Sequence, residues 1–209
     1  MDKDKFHSLI PLESFKTVLG IDDRDDKLSR YCLTTATYTI EQHCMRRLLR
    51  KKHFERIEYC PAELDLGDLF LPLREYPVNE IVGIFAICRN QTGKSKEEIF
   101  EPDFYKIIPD CKSEEDWPYA VSISPAIKHY PNIEALHIFY WAGYAAGKAP
   151  PDLASACLEL ATWNMNRYKS RKIGTTGNIR GSGKDGEHFE LSVPENVRLL
   201  LEPYKRRVI

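Results

Sequence analysis

The chain predicts an α+β protein: a helical frame, with N-terminal and C-terminal helices packed together, and a β-rich insertion between them. Two observations carry this. Near both ends, apolar residues recur at three-to-four spacing, as in helices that bury one face. Between about Leu49 and Tyr144 they fall instead in short runs of β-branched and aromatic residues, with prolines clustered between the runs. The expected divisions are residues 1–48, 49–145 and 146–209.

Leu9-Ile10-Pro11 opens a short helix with Leu12, Phe15, Val18 and Leu19 on one face and Gly20 as its stop. Asp22, Asp23, Asp25 and Asp26 crowd the start of a long helix, where carboxylates complement the positive end of the backbone dipole. That helix is expected to run to about Leu48. Leu33, Ala36, Ile40, Cys44 and Leu48 form its core stripe. Tyr31, Thr35 and Tyr38 form a second flank, so it is expected to pack against more than one neighbour.

In the middle, residues 53–59 partly alternate, and Leu69-Phe70-Leu71-Pro72 is a short apolar run. Ile81 to Cys88 is a stronger one. A polar turn over residues 91–96 separates it from Ile99-Phe100. Residues 104–108 and 120–123 read as further strands, and Ile138-Phe139-Tyr140-Trp141 as the last, ending at Ala142-Gly143-Tyr144.

The frame resumes at Pro150-Pro151-Asp152-Leu153. Proline suits a first helical turn, where its missing N–H has no partner to lose. Leu153, Ala156, Cys157, Leu160, Ala161, Asn164 and Tyr168 make the stripe, and Lys169, Arg171 and Lys172 close the helix. A loop with five glycines between Gly174 and Gly186 follows. Ser192 and Glu195 then have capping-box spacing, and Val197, Leu200, Leu201 and Tyr204 form the next apolar face.

At 209 residues and 43% hydrophobic, the chain is expected to form one domain, or one with a large insertion. A net charge of −1 gives no global electrostatic reason for nucleic-acid binding. No run approaches the roughly 18 apolar residues of a membrane span, so no membrane association is expected. The charged start leads into no long apolar stretch, so no secretory signal is expected. The six cysteines are scattered, with no C-x-x-C, and are expected to be reduced thiols of a cytosolic protein.

Catalytic patterns are missing. None of the six histidines sits at metal-ligand spacing from a Cys, Asp or Glu. There is no G-x-S-x-G and no H-E-x-x-H. Gly181-Ser182-Gly183-Lys184-Asp185 suggests a phosphate loop, but Asn178 replaces its first glycine and Asp185 the magnesium-binding hydroxyl. A helix also precedes it instead of a strand. No catalytic, cofactor-binding or metal-binding residue is therefore assigned. The loop does carry Ile173, Ile179, Arg180 and Phe189, apolar and basic residues suited to ordering against a partner. Together with Tyr204 and Arg206, these are the candidate partner-binding residues.

The chain resembles the phage head–tail connector proteins, the adaptor or head-completion family of tailed phages and prophages. The likeness lies in residues 12–22, the helix ending Ile40-Glu41-Gln42-His43-Cys44-Met45-Arg46-Arg47, the run at Leu69-Phe70-Leu71-Pro72 and Phe104-Tyr105-Lys106-Ile107. Its strongest part is Phe139-Tyr140-Trp141-Ala142-Gly143-Tyr144, then Pro150-Pro151-Asp152-Leu153, Ala156, Tyr168, Arg171, Val193-Pro194, Leu200-Leu201 and Tyr204. Many relatives have a shorter or less glycine-rich loop.

The resemblance implies a structural protein without enzymatic activity or cofactor. Such proteins form a ring of copies beneath the portal protein at the virion neck, after assembly in the host cytoplasm. The ring extends the DNA channel, through which DNA passes without specific binding, and docks the next neck or tail-completion protein. The subunit is expected to be monomeric until it meets its template. The alternatives are another neck component, such as a stopper or tail-completion protein, or an enzyme acting on nucleotides or nucleic acid.

Overall fold

A computed structural model describes residues 6–58, 68–89, 95–100, 102–108, 118–124, 132–170 and 193–206. The fold is α+β, a helical frame with a β-rich insertion, as the sequence predicts. It forms two compact units. One takes the chain up to Arg46 and from Ala145 to Arg206; the other takes Arg47–Tyr144.

In the helical unit, α1 (Leu12–Leu19) ends at Gly20, whose φ of 61° is left-handed. Leu12 and Phe15 are buried, but Val18 points outward. After a 3₁₀ turn at Asp23–Asp25 comes α2 (Asp26–Cys44). This helix stops short of Leu48. Met45 turns left-handed at φ 56°, its N–H bonds to the Gln42 carbonyl, and the Arg46 N–H bonds to that of Glu41. This pair of bonds makes a Schellman ending, here without glycine, so the sequence offers no visible stop.

α3 (Pro151–Lys169) packs along α2 through Leu153, Ala156, Cys157, Leu160 and Ala161, all buried. Met165 completes the buried stripe, while Asn164 and Tyr168 are half-buried. α4 (Glu195–Leu201) starts from Pro194 with no side-chain cap; the proposed capping residue Ser192 lies outside the described residues. Val197, Leu201 and Tyr204 are buried.

The second unit has two antiparallel sheets. One has the order β1-β7-β3-β4, with β1 Lys51–Glu58, β7 Ile133–Ala142, β3 Val78–Arg89 and β4 Ser95–Ile99. The other has the order β2-β6-β5, with β2 Leu69–Pro72, β6 Ala120–Ile123 and β5 Tyr105–Ile108. Both contribute to one core, in which Leu71, Val121 and Ile123 meet Ile84, Leu136, Ile138 and Tyr140. Ser95 and Lys96, expected in a turn, belong to β4. Phe104 belongs to a 3₁₀ turn before β5.

Tyr140 ties this core to polar groups. Its hydroxyl donates to the Glu55 carboxylate and accepts the Glu75 N–H at 3.2 Å, and Glu55 also accepts the Arg74 N–H at 2.8 Å. Burial and the Glu55 charge raise the phenol's pKa, so it stays a donor. Tyr140→Phe leaves the buried Glu75 N–H without this acceptor. The expected loss is about 2 kcal/mol, read from the urea midpoint at unchanged slope.

Two histidines are held neutral. His43, in the helical unit, and His53, in the β unit, each have a buried Nε2 without a partner among the described residues. Desolvation lowers both pKa values from 6.5, with Lys205 and Arg198 adding to the effect at His43 and Lys51 and Arg47 at His53. The unfolded chain therefore binds these protons more readily than the folded one. Stability is expected to be full above pH 6.5 and to fall as the pH drops below it. Thermal unfolding between pH 7.5 and 5.5 checks this, and the double change His43→Gln and His53→Gln should flatten the dependence.

Candidate assembly surface

An antiparallel sheet with one face on a core normally shows polar side chains on the other. The four-stranded sheet does not. Along β7 the core takes Leu136, Ile138, Tyr140 and Ala142, and the opposite parity carries His137, Phe139 and Trp141. Pairing then builds an aromatic row across the strands. Phe54 on β1 faces Phe139, and Phe85 on β3 faces His137 on one side and Ile99 of β4 on the other.

The rings touch. Phe54 and Phe139 have centroids 4.9 Å apart, Phe54 and His137 5.1 Å, and Phe85 and Phe139 5.6 Å. Gly83 leaves room for them, since a Cβ there would lie 3.2 Å from the Phe85 ring. Phe54 is 52% exposed and Ile99 65%. A contiguous patch of this kind, unlike a lone exposed leucine, marks an interaction site.

Charge is distributed unevenly around this face. On the β4 side the charged groups have partners: Glu97 meets the His137 ring at 3.3 Å, Lys96 pairs with Glu98 at 3.2 Å, and Arg89 of β3 with Glu134 of β7 at 3.6 Å. The β1 edge is cationic. Arg47, Arg50, Lys51, Lys52 and Arg56 stand against Glu55 alone over residues 47–56. Lys52 lies 5.6 Å over the Phe139 ring and Arg50 5.6 Å over Trp141.

The helical unit has smaller exposed features. Tyr31 stacks edge-on against Tyr168 at 5.5 Å, and Tyr38 lies flat on His7 at 4.3 Å, so the second flank of α2 is partly covered by its own chain. A groove of about 260 Å³ runs beside α1, lined by Leu9, Ile10, Pro11, Val18, Ala154 and Leu158 among others.

Of the candidate partner-binding residues, Ile173, Ile179, Arg180 and Phe189 lie outside the described residues. Tyr204 is 1% exposed, with its hydroxyl donating to Asp152 and its carbonyl accepting from Arg46 Nε at 2.6 Å. The Arg206 N–H caps α2 at the Cys44 carbonyl, 2.8 Å away, and its side chain is exposed. These two residues fasten the end of the chain to α2.

The aromatic face was missed because its members lie far apart in sequence. One signal was available: β7 is apolar at both parities from Ile138 to Trp141, which an antiparallel strand needs only if both faces are covered.

The described thiols are poor nucleophiles. Cys32, Cys44, Cys88 and Cys157 are free and buried, and burial pushes Cys32, Cys44 and Cys157 up to about 11. Among the described residues no three His, Cys, Asp or Glu side chains converge as metal ligands, and no helix is long and apolar enough to cross a membrane.

The same fold occurs in solved phage-like particles. Over 96% of its length the chain matches 91% of a chain from the neck of an empty GTA particle computed with C6 symmetry, at TM-score 0.57 and 17% identity. A chain from the neck of a native GTA particle computed with C12 symmetry matches at TM-score 0.51 and 17% identity, covering 100% of this chain and 94% of that one. A chain from the virion of a native gene transfer agent particle matches at TM-score 0.53 and 18% identity, covering 99% and 96%. At this identity the likeness is one of fold, and it extends through both units. No protein-family model and no curated protein matches the chain.

Proposed function

We propose that the protein is a non-enzymatic structural subunit of the neck of a phage-like particle. In this reading it forms an adaptor ring beneath the portal, extends the DNA channel and docks the next neck or tail component. The observation that carries it is the fold likeness over nearly the whole chain to chains from necks computed with sixfold and twelvefold symmetry. A ring needs heterologous contacts, one surface of each subunit against a different surface of the next. The aromatic sheet face is suited to be one of those surfaces.

Mixing the purified protein with its cognate portal and imaging by electron microscopy tests this. A ring seated on the portal is expected; bare portals overturn the reading. The free protein is expected to scatter light as a monomer at micromolar concentration, because a lone contact does not offset the entropy of association until the template aligns many.

The fold likeness to neck chains fits a second reading equally, a neck component that seats below the adaptor. Binding to a preformed adaptor ring, with no binding to the bare portal, separates the two.

A further inference from the structure

We propose that the β1 edge is a sequence-independent contact for the phosphate backbone of double-stranded DNA. β1 is an outer strand, and its free side carries no hydrogen-bonded neighbour among the described strands. Lys51, Lys52 and Arg56 are exposed, and none pairs with a carboxylate among the described residues. Arg50 reaches only Glu80, at 3.8 Å, with both side chains about half exposed. Arg74 is exposed beside the strand, where its N–H meets Glu55.

The acidic residues nearby do not cancel this row. Glu55 turns inward to Tyr140, and Glu75 is buried. The remaining carboxylate on β1, Glu58, ends the strand two residues beyond Arg56 on the same parity, so it offsets part of the Arg56 charge and leaves Lys52 with no opposing carboxylate among the described residues. The chain as a whole is near neutral, so this is charge gathered in one place.

The geometry suits a linear polyanion. Arg50, Lys52 and Arg56 share the parity of Phe54, so they form the outer rim of the aromatic face along β1, and they span about 20 Å at the rise of a β-strand. Duplex DNA offers a phosphate every 3.4 Å along each strand, so such a row meets several without choosing a sequence. Bases are not the target. Phe54, Phe85 and Phe139 pack tilted or edge-on against one another and offer no open parallel faces for stacking. Lysines on an outer strand also discourage pairing with another strand, which leaves the edge open to a different kind of partner.

The inference does not rest on the neck reading. A protein that binds DNA but never forms a ring keeps the one and loses the other. The test is fluorescence anisotropy of the full-length protein with two unrelated 30-base-pair duplexes from 50 to 200 mM salt. Equal binding to both is expected, with Kd of roughly 10⁻⁶ to 10⁻⁴ M and a log–log salt slope near −2.7, from the three cations of the row at about 0.9 each. The triple change Arg50→Gln, Lys52→Gln and Arg56→Gln is expected to weaken binding at least tenfold and to remove most of that slope, with an unchanged melting temperature. Lys27→Gln, an exposed charge on α2, should leave binding unchanged.

Three results would overturn the proposal: no binding by the unaltered protein, equal binding by the triple variant, or preference for single strands over the duplex. If the triple variant loses portal association while the unaltered protein binds no DNA, the edge serves an acidic protein surface and the DNA contact is discarded.

Discussion

Replacing Gly143 with alanine is expected to cost about 3 kcal/mol, a large share of the 5–15 kcal/mol that holds a typical domain. Gly143 has φ +101°, outside the range comfortable for a side chain. A Cβ there would also lie 2.7 Å from the Leu48 carbonyl oxygen and 2.7 Å from the Leu49 carbonyl carbon. Neither backbone segment is free to yield. The Tyr144 N–H bonds to Leu48 at 2.7 Å, the Arg50 N–H to Tyr144 at 2.8 Å, and the Gly143 N–H to Pro77 at 2.9 Å. Left-handed strain contributes about 1–2 kcal/mol and overpacking about 1–3.

Gly20→Ala is the control. Its φ is +61°, but nothing lies within 4 Å of the added carbon, so it should cost only about 1 kcal/mol. Urea unfolding of both variants separates strain from collision. Equal losses at the two positions would show that the contact at Leu48 and Leu49 does not matter.

Phe54→Asp is expected to weaken ring formation on the portal about 30-fold while leaving the subunit folded. A charge set among Phe139, His137 and Phe85 must be desolvated by any partner that covers the face. A central interface residue typically carries 2 kcal/mol or more, and each 1.4 kcal/mol is tenfold. Phe54 is half exposed, so the subunit itself should lose about 1 kcal/mol. Ile99→Asp, at 65% exposure, tests the same face with less effect on the fold. Leu199→Ser, 69% exposed on α4, is the comparator in the other unit. If both sheet variants assemble as well as the unaltered protein, the aromatic face is not an assembly surface.

How far the sequence reaches can be seen residue by residue. The buried stripes at Leu33, Ala36 and Ile40 and at Leu153, Ala156, Cys157, Leu160 and Ala161 were visible as three-to-four spacing. The strands Leu69–Pro72 and Ala120–Ile123 fall on the runs that predicted them. The end of α2 was not visible, because Met45 takes a conformation that usually signals itself through glycine. Tyr204, read on an apolar face and also as a candidate partner-binding residue, is buried, with its hydroxyl on Asp152 and its carbonyl on Arg46, partners distant in sequence. The cations at Arg50 to Arg56 were in plain sight, but a net charge of −1 conceals a local excess.

By itself the sequence determined the helical ends, most of the strands and the residues that seek burial, because helix and strand periods are local properties of neighbouring side chains. It also showed that β7 is apolar on both sides. Only the tertiary structure decided which side stays uncovered. The order β1-β7-β3-β4 and its register set Phe54, Phe139, Phe85 and Ile99 in one row and leave β1 with its cations on the edge. That choice depends on pairing between strands some 80 residues apart, which no local pattern encodes.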